Sequence, residues 1–426
     1  MLRISILENE ERPAQVIYFA IIAFFIILSY PFTRTSAAPF FNAAYGKEML
    51  PLGMTASAIM SLAAVVIYNE LAKRVNLILL SLFTIIFIII ANATFALVLA
   101  APYPKWVALL YYGWSDTYIL IIVEQFWSIS NTLFTKKRAK KYYGLFLTVS
   151  SVGGIIGNYL VNALAEKIGS AHLIFLNCIP LTIVAFAISI LNTTITKSSQ
   201  LRYKFKIEKY IADRSFVGGL TLVSRERYLL FITLLVASTQ FYINAAYNAF
   251  NYNLANLTNV LDKQSAIYGK AFMIVEALTI FTGLVITPIA LKLMDIKTHY
   301  AIILVPFAIS LGAFVTPNVA FITALFIAAK ALDYSIFRAA KELFYLPLSI
   351  AEKFQAKSFI DVFTYRFAKA FAAGALFVAF ELIHPSSTLW YNRISLALIA
   401  IGIAAWFWLI YRIIDIYKRR YNPPLP

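Results

Sequence analysis

Residues 330–369 read KALDYSIFRAAKELFYLPLSIAEKFQAKSFIDVFTYRFAK and lie between FITALFIAA (321–329) and AFAAGALFVAF (370–380). The apolar flanks predict two membrane helices joined by a loop near 351–355. A Lys, Arg or Asp at the centre of such a helix costs about 2.5–3.5 kcal/mol. The charged residues of this stretch must therefore face a bundle interior or a wet cavity. They are Lys330, Asp333, Arg338, Lys341, Glu342, Asp361, Arg366 and Lys369.

The composition extends this interpretation to the whole chain. Of the 426 residues, 61% are hydrophobic and 13% are charged, whereas soluble domains are close to half apolar and a quarter charged. The pattern predicts an all-α polytopic membrane protein with about twelve transmembrane helices. The predicted spans are 14–34, 50–70, 76–100, 106–134, 142–165, 171–192, 227–256, 265–293, 299–316, 318–350, 358–383 and 388–414.

The formal net charge of +17 is concentrated in loops that fall on one side of the membrane if the spans alternate. The basic segments are 69–74, 136–141, 193–227 and 418–420. Cytoplasmic loops carry such an excess of Lys and Arg, so both termini are predicted to be cytoplasmic. No nucleic-acid-binding module accompanies the charge, and the expected surroundings are a lipid bilayer.

A weak internal repeat relates the two halves of the chain. One shift places Lys136 on Lys353, Lys140 on Lys357 and Gly157 on Gly374. We therefore predict two six-helix pseudo-repeats, at 1–192 and 227–426, joined by a cytoplasmic linker at 193–226. Two parallel-related halves around a midplane cavity are the architecture of the major facilitator superfamily.

Helical spacing predicts where a site would lie. On an ideal helix Lys330, Arg338, Lys341 and Glu342 fall within about 120° of one another, and Asp333 widens that arc to about 180°. The alternative is a set of ion pairs that lock helix ends together. The first half contributes Arg34, which lies either inside a kinked span or at its outer end. The predicted substrate-binding residues are Arg34, Asp116, Glu124, Lys330, Asp333, Arg338, Lys341, Glu342, Arg366 and Lys369.

Two further groups of residues each allow two interpretations. Gly153, Gly154 and Gly157 in the fifth span favour close helix packing over ligand contact. The asparagines of the seventh span, which run from Asn244 to Asn256, either contact a polar substrate or bond neighbouring helices.

A lining rich in Lys and Arg favours a small anionic solute, because Arg binds phosphate or carboxylate bidentately and Lys acts as a point charge. No catalytic motif is present, so no enzymatic activity is predicted. Cys178 is the only cysteine and no metal-ligand spacing occurs, so we expect no disulfide, metal or cofactor.

Two motif segments resemble the ATP/ADP antiporter family of bacteria and plastids, which is related to the major facilitator superfamily. One is FWSISNTLFTKKRAKKYYG (126–144). The other spans 334–369 and contains YSIF, KELFYLPL, IDV and the lysine pair Lys353 and Lys357. Arg34 and Asp333 stand where family members usually carry, respectively, the start of a Lys-Asp pair and a lysine.

The resemblance implies a bacterial inner-membrane antiporter that exchanges ADP for ATP, or moves related nucleotides, by alternating access. It implies site roles for Lys341, Glu342, Asp361, Arg366 and Lys369. A monomer is the working expectation. An exporter or flippase of a non-nucleotide solute or lipid is the alternative, and a non-transporting membrane sensor or scaffold is an alternative of another class.

Overall fold

The computed structural model describes residues 13–197, 216–294, 297–315, 318–345, 348, 359–383 and 387–421. These residues form helices and connecting turns, and none of them lies in a strand. The predicted loop at 351–355, with Lys353 and the nearby Lys357, lies outside the described residues. The helical structure of the spans is what a bilayer requires, because a helix satisfies all of its backbone hydrogen bonds internally.

The first half of the chain contains seven helices in the described range. The spans agree closely with prediction, except that the first continues beyond residue 34 to Tyr45. The helices are α1 (Pro13–Ser29), α2 (Pro31–Tyr45), α3 (Leu50–Arg74), α4 (Leu77–Leu99), α5 (Lys105–Leu133), α6 (Lys136–Ile168) and α7 (Ser170–Lys197).

The second half contains two interrupted spans that the sequence did not predict. Single π-helical turns at Thr282–Ile286 and Asp333–Phe337 interrupt the eighth and tenth spans, and Phe359–Thr364 precedes the helix of the eleventh. The helices are α8 (Phe216–Arg225), α9 (Arg227–Leu257), α10 (Leu261–Phe281), α11 (Thr287–Met294), α12 (Thr298–Val315), α13 (Val319–Leu332), α14 (Arg338–Tyr345), α15 (Tyr365–Ile383) and α16 (Thr388–Tyr421).

Among the described residues, eleven helical segments are long and apolar enough to cross a membrane. The predicted eleventh span is also helical, as α15, but carries Arg366, Lys369 and Glu381. The all-α polytopic fold is confirmed. The short helix α8 lies inside the predicted linker at 193–226.

Local sequence signals mark several helix ends. The Asn76 side chain accepts hydrogen bonds from the backbone N–H groups of Ile78 and Leu79, which caps α4. Gly169 ends α6 with a φ of 85°, a left-handed conformation that favours glycine. Pro31 has no backbone N–H to continue the ladder of α1, so the first span breaks there and resumes as α2.

The chain divides into two compact units, and each has its own core. One comprises Met1–Ala44, Ala63–Asp213 and Thr258–Ala277, and the other comprises Tyr45–Leu62, Arg214–Leu257 and Leu278–Pro426. Phe19, Phe126 and Phe146 are buried in the core of the first unit. Tyr391 and Trp406 are buried in the core of the second. The bundle boundaries 1–192 and 227–426 stay a prediction.

Glycines bring the fifth span against the first. A Cβ at Gly153 would stand 2.5 Å from the backbone oxygen of Phe24, and one at Gly157 would stand 2.7 Å from the backbone oxygen of Leu28. Only a residue without a Cβ permits this approach, so α6 packs directly on the backbone of α1. The prediction that these glycines serve close packing is confirmed.

Candidate functional site

Arg34 lies inside the first span, because the helix continues to Tyr45. Its guanidinium carbon is 3.5 Å from the ring centroid of Phe272 and 4.6 Å from that of Tyr30. Its Nε is buried without a hydrogen-bond partner, and Arg34 makes no ion pair within the described part of the chain. Aromatic rings therefore hold the cation in place and leave its N–H donors available for an anion.

Tyr30 connects Arg34 to Asp116. The Tyr30 hydroxyl donates a hydrogen bond of 3.0 Å to Asp116 Oδ1, while its ring lies under the guanidinium of Arg34. Tyr30 stands at the break before Pro31, where α1 ends and α2 has not yet begun. Two of the predicted site residues thus contact one tyrosine side chain, which the sequence interpretation did not identify.

A buried chain of hydrogen bonds holds this part of the first unit together. The indole N–H of Trp114 donates to Asn92 Oδ1 (2.8 Å), and the amide of Asn92 donates to Asn177 Oδ1 (2.7 Å). The amide of Asn177 donates to the Tyr118 hydroxyl (2.9 Å), which shares a hydrogen bond of 2.6 Å with Thr33. These bonds link α2, α4, α5 and α7 next to Arg34.

Glu124, two turns after Asp116 on α5, is half-buried. It lies within electrostatic reach of the Tyr68 hydroxyl, which is hydrogen-bonded to the side chain of Ser128. The structure therefore places Glu124 in a polar environment formed by α3 and α5.

In the second unit, Tyr334 lies between two of the predicted cations. The Lys330 Nζ is 5.7 Å from the Tyr334 ring centroid, and the Arg338 guanidinium carbon is 5.2 Å from it. Lys330 makes no ion pair within the described ranges. It is half-buried, whereas Arg338 is exposed.

The π-helical turn at Asp333–Phe337 changes the predicted face of the tenth span. A π turn contains more residues than an α turn, so every residue after it is rotated relative to an ideal wheel of 100° per residue. The common arc predicted for Lys330 and Lys341 assumed an uninterrupted α-helix. Single π turns occur frequently at functional sites. The two π turns of the second unit also contact each other, because the hydroxyl of Thr282, in the turn Thr282–Ile286, donates a hydrogen bond of 2.7 Å to Ser335.

Asp333 is the most deeply buried of the predicted charged residues, with 3% of its surface exposed. It accepts a hydrogen bond of 3.4 Å from the Tyr365 hydroxyl and makes no ion pair among the described residues. Tyr365 in turn lies within electrostatic reach of Arg338 and Arg366. Among the described residues, Asp333 therefore contacts the Tyr365 hydroxyl and forms no ion pair with the cations that were predicted to share its face.

The remaining predicted residues of the second unit are half-buried, and each takes part in polar, electrostatic or ring contacts. These residues are Lys341, Glu342, Arg366 and Lys369. Two interpretations of their side chains stay open, namely ion pairs that lock helix ends together and contacts that bind substrate. The side chain of Asp361 lies outside the described residues.

Three of the five asparagines between Asn244 and Asn256 bond to a neighbouring helix, whereas the amide of Asn244 donates to the backbone oxygen of Gln240 within α9. The amide of Asn248 donates to the Tyr391 hydroxyl (2.6 Å), and Asn253 and Asn392 exchange hydrogen bonds of 2.6 and 3.1 Å. Asn256 donates to Thr388 at 3.4 Å. These contacts attach α9 to α16, so the described geometry favours the structural interpretation of these amides over substrate contact.

The sequence interpretation placed Tyr365 on the polar face of the eleventh span, together with Arg366 and Lys369, but missed two other aromatic residues of the site. Phe272 and Tyr30 contact Arg34, yet nothing distinguishes them within a chain of 16% aromatic residues. Their partners lie on other helices, and local spacing carries no information on contacts across a bundle.

The family model described as the Major Facilitator Superfamily matches residues 127–339, which is half of the chain. The chain belongs to the major facilitator superfamily. It is a multi-pass membrane transporter, as the hydropathy pattern and the repeat predicted.

Curated relatives of this major facilitator are named as carriers of nucleotides. The chain is 25% identical over 378 residues to ADP,ATP carrier protein 4 of Rickettsia bellii, covering 76% of this chain and 71% of that protein. It is 24% identical over 353 residues to ADP,ATP carrier protein 3 of Rickettsia prowazekii, covering 72% and 70%. The predicted resemblance to the ATP/ADP antiporter family is confirmed.

Solved structures of other major facilitators share the fold. An auto-inhibited POT family peptide transporter aligns with a TM-score of 0.66 at 13% identity, covering 97% of this chain and 99% of the other. The nucleoside transporter NupG aligns with a TM-score of 0.64 at 11% identity, covering 95% and 99%. At these identities the likeness concerns the fold alone.

Proposed function

We propose that this transporter is an antiporter of nucleotides, or of a related phosphorylated or carboxylated metabolite, that works by alternating access. The names of the curated relatives support the nucleotide version. The proposal assigns the chain no covalent chemistry, because transport needs only reversible binding.

The observation that carries the proposal is that each unit has a cation in a membrane span that forms no ion pair among the described residues. Arg34 in the first unit and Lys330 in the second are each held against aromatic rings, and neither forms an ion pair within the described part of the chain. An isolated cation in a membrane span is costly unless it has a function or a partner. An anionic substrate supplies that partner during transport.

The geometry at Arg34 favours a planar or tetrahedral oxyanion over a simple halide. Its guanidinium presents several N–H donors in a fixed fork that matches phosphate and carboxylate oxygens. The Phe272 and Tyr30 rings restrict the rotation of the guanidinium. In the second unit, Lys330 offers a positive charge without such directionality.

Counter-exchange in proteoliposomes tests the proposal directly. Vesicles are loaded with ADP, and uptake of labelled ATP is measured for the wild type and for Arg34→Gln and Lys330→Gln. A charge-assisted hydrogen bond is worth about 1.5–3 kcal/mol, so each variant should raise KM by about tenfold to a hundredfold. Arg393→Gln is the matched control, because Arg393 is exposed and its guanidinium lies 5.6 Å from the Trp390 ring.

Two results would contradict different parts of the proposal. If both variants retain the KM of the wild type, as the Arg393→Gln control should, then the two cations do not bind substrate. If the wild type exchanges none of ATP, ADP or GTP, the nucleotide version is wrong. If the protein then takes up another anion, only the nucleotide version is contradicted, and the proposal of an anion antiporter still holds.

One observation favours a different substrate and keeps the second candidate open. Asp333 stands where family members usually carry a lysine, and it is buried beside Tyr365. A carboxylate there repels a phosphate that a lysine would attract. We therefore keep an exporter or flippase of a non-nucleotide solute or lipid as the alternative.

The cellular setting is also a proposal. We place the chain in the bacterial inner membrane, as a monomer with both termini in the cytoplasm. The distribution of basic residues among the loops supports the orientation. The bacterial origin of the curated relatives supports the membrane.

A further inference from the structure

An arginine lies on the exposed face of the last membrane span. Arg412 belongs to α16, within the membrane-length segment Thr388–Arg419, and its side chain is exposed. Ile401, Ala405 and Trp408 are exposed on the same stripe of the helix, which leads along the span to Arg412. Because these neighbours are apolar or aromatic, this face of α16 contacts lipid and not a water-filled passage. A cation there is costly unless it reaches the level of the lipid headgroups.

The position of Arg412 along α16 matches that level. The guanidinium carbon of Arg412 is 5.8 Å from the ring centroid of Trp408. At the other end of the helix, that of Arg393 is 5.6 Å from the ring centroid of Trp390. The two tryptophans are each 52% exposed and stand 18 residues apart on one side of the helix, a rise of about 27 Å. The hydrocarbon core of a bilayer is about 30 Å thick, and Trp is enriched at both of its surfaces. Arg412 therefore lies at one membrane surface and Arg393 at the other.

Two aromatic rings hold the guanidinium of Arg412. Its carbon is 6.0 Å from the ring centroid of Phe231 on α9 and 5.8 Å from that of Trp408 on α16. The two rings meet edge to face at 5.8 Å, so they form one support across the contact between these helices. Arg412 makes no ion pair within the described part of the chain. The rings restrict the guanidinium, while the N–H donors in its plane remain available to an anion.

A second arginine stands at the same end of the neighbouring helix. Arg227 is the first residue of α9, is exposed, and lies one turn before Phe231 on the same face. It forms no ion pair with any residue that the structure describes. The acid nearest to Arg412 on α16 is Asp415, which is already paired with Arg419 at 3.0 Å. Arg227 and Arg412 thus place positive charge at this membrane surface, and no described ion pair neutralises it.

We propose that the surface formed by Arg227, Phe231, Trp408 and Arg412 binds the headgroup of an anionic phospholipid. The planar fork of Arg412 matches two oxygens of the phosphodiester and donates a hydrogen bond to each. Arg227 attracts the negative charge of the same headgroup. Basic surfaces between membrane helices at headgroup level are suited to such lipids. The proposal concerns the membrane and does not depend on which solute is transported.

The chemistry of this surface favours an anionic lipid over a soluble phosphate or a zwitterionic lipid. A soluble phosphate would contact Arg412 but would leave the exposed side chains of Ile401 and Trp408 uncovered, whereas the acyl chains of a lipid cover them. A zwitterionic headgroup also carries an ammonium group, which needs an acidic partner. Asp415 is engaged with Arg419. A headgroup with a net negative charge therefore fits best.

Native mass spectrometry of the detergent-solubilised protein tests the site. The protein is titrated with phosphatidylglycerol, and the Kd of the first bound lipid is compared among the wild type, Arg412→Gln and Arg393→Gln. Loss of the bidentate, charge-assisted contact should raise the Kd about tenfold or more in Arg412→Gln. Arg393→Gln is the matched control and should keep the Kd of the wild type. Arg393 is also an exposed arginine of α16 beside a tryptophan, but it contacts a single ring among the described residues.

Several outcomes would overturn the proposal. If Arg412→Gln binds phosphatidylglycerol as tightly as the wild type, Arg412 does not hold the headgroup. If both variants weaken binding equally, the lipid responds only to the overall charge of the protein. The wild type should bind phosphatidylcholine about tenfold more weakly than phosphatidylglycerol, and equal binding would contradict selection of an anionic headgroup. Glycerol phosphate should not displace the lipid at equal concentration, since displacement would indicate a site for soluble phosphate.

A second pair of variants keeps both arginines in place. Trp408→Leu removes one of the two rings and leaves an apolar side chain, so the Kd for phosphatidylglycerol should rise about threefold. Phe407→Leu is its control, because Phe407 is also an exposed aromatic residue of α16, and its ring lies 5.3 Å from that of Tyr300. An equal Kd in Trp408→Leu and Phe407→Leu would show that the Trp408 ring does not position Arg412 for the lipid.

Discussion

Replacing Gly153 by alanine should destabilise the protein, whereas the same change at Gly374 should not. The new Cβ at Gly153 would stand 2.5 Å from the backbone oxygen of Phe24, well inside van der Waals contact. That oxygen belongs to the backbone of α1, so no side-chain rotation relieves the clash and the two helices must separate. At Gly374 a Cβ would meet nothing within 4 Å.

The magnitudes follow from two opposing effects. Alanine is better than glycine in a helix interior by about 1 kcal/mol, and this gain applies at both positions. Overpacking of a tight contact costs about 1–3 kcal/mol and occasionally more. Gly374→Ala should therefore be neutral or more stable by up to about 1 kcal/mol. Gly153→Ala should lose stability, with a net loss of up to about 2 kcal/mol.

The single cysteine provides the assay. Cys178 is half-buried and is the only thiol in the chain, so a thiol-reactive dye reports its exposure during thermal unfolding in detergent. The expected order of Tm is Gly374→Ala equal to or above the wild type, and Gly153→Ala below it. If Gly153→Ala unfolds at or above the Tm of Gly374→Ala, then α1 and α6 do not pack at this distance and the reasoning fails.

Three further outcomes are expected from the described contacts. Asn177→Ala removes interhelical hydrogen bonds, which average about 0.6 kcal/mol each in membrane proteins, so Tm should fall in the same dye assay. An unchanged Tm would show that the chain of hydrogen bonds through Asn177 does not form. Asn253→Ala and Asn392→Ala should be non-additive in a double-mutant cycle of stability, because the two amides bond each other; strict additivity would contradict the pair. Arg34→Lys should raise the KM for ATP nearly as much as Arg34→Gln, because lysine cannot donate bidentately; wild-type KM in Arg34→Lys would mean that only the charge matters.

Much of the fold could be predicted because the bilayer leaves few choices. A segment that crosses it must satisfy every backbone group internally, so apolar length alone located the spans to within a few residues at most ends. The close-packing role of Gly153 and Gly157 was also accessible, since glycine in a membrane helix has few other uses. The exception in the first half was the length of the first span, where Pro31 and Pro39 lie in a segment that remains helical to Tyr45.

The site was less predictable, for two physical reasons. Helical spacing assumes a constant rotation per residue, and the π turn at Asp333–Phe337 breaks that assumption in the middle of the predicted face. Contacts such as Arg34 with Phe272, or Asp333 with Tyr365, join residues that are far apart in sequence. The charged residues could be recognised in the sequence because a charge inside a membrane span is costly. The aromatic side chains that contact them across the bundle carry no such signal.

Packing and binding are physically connected in the first unit through Gly157. A Cβ there would stand 2.7 Å from the backbone oxygen of Leu28 and 2.9 Å from Cγ of Pro31, three residues before Arg34. Pro31 begins the helix that carries Arg34, so a clash at this point moves the start of α2. Gly153→Ala acts one turn away, on the backbone of α1. Gly157→Ala should therefore raise the KM for ATP as well as lower Tm, and an unchanged KM would show that the first span absorbs the displacement before it reaches Arg34.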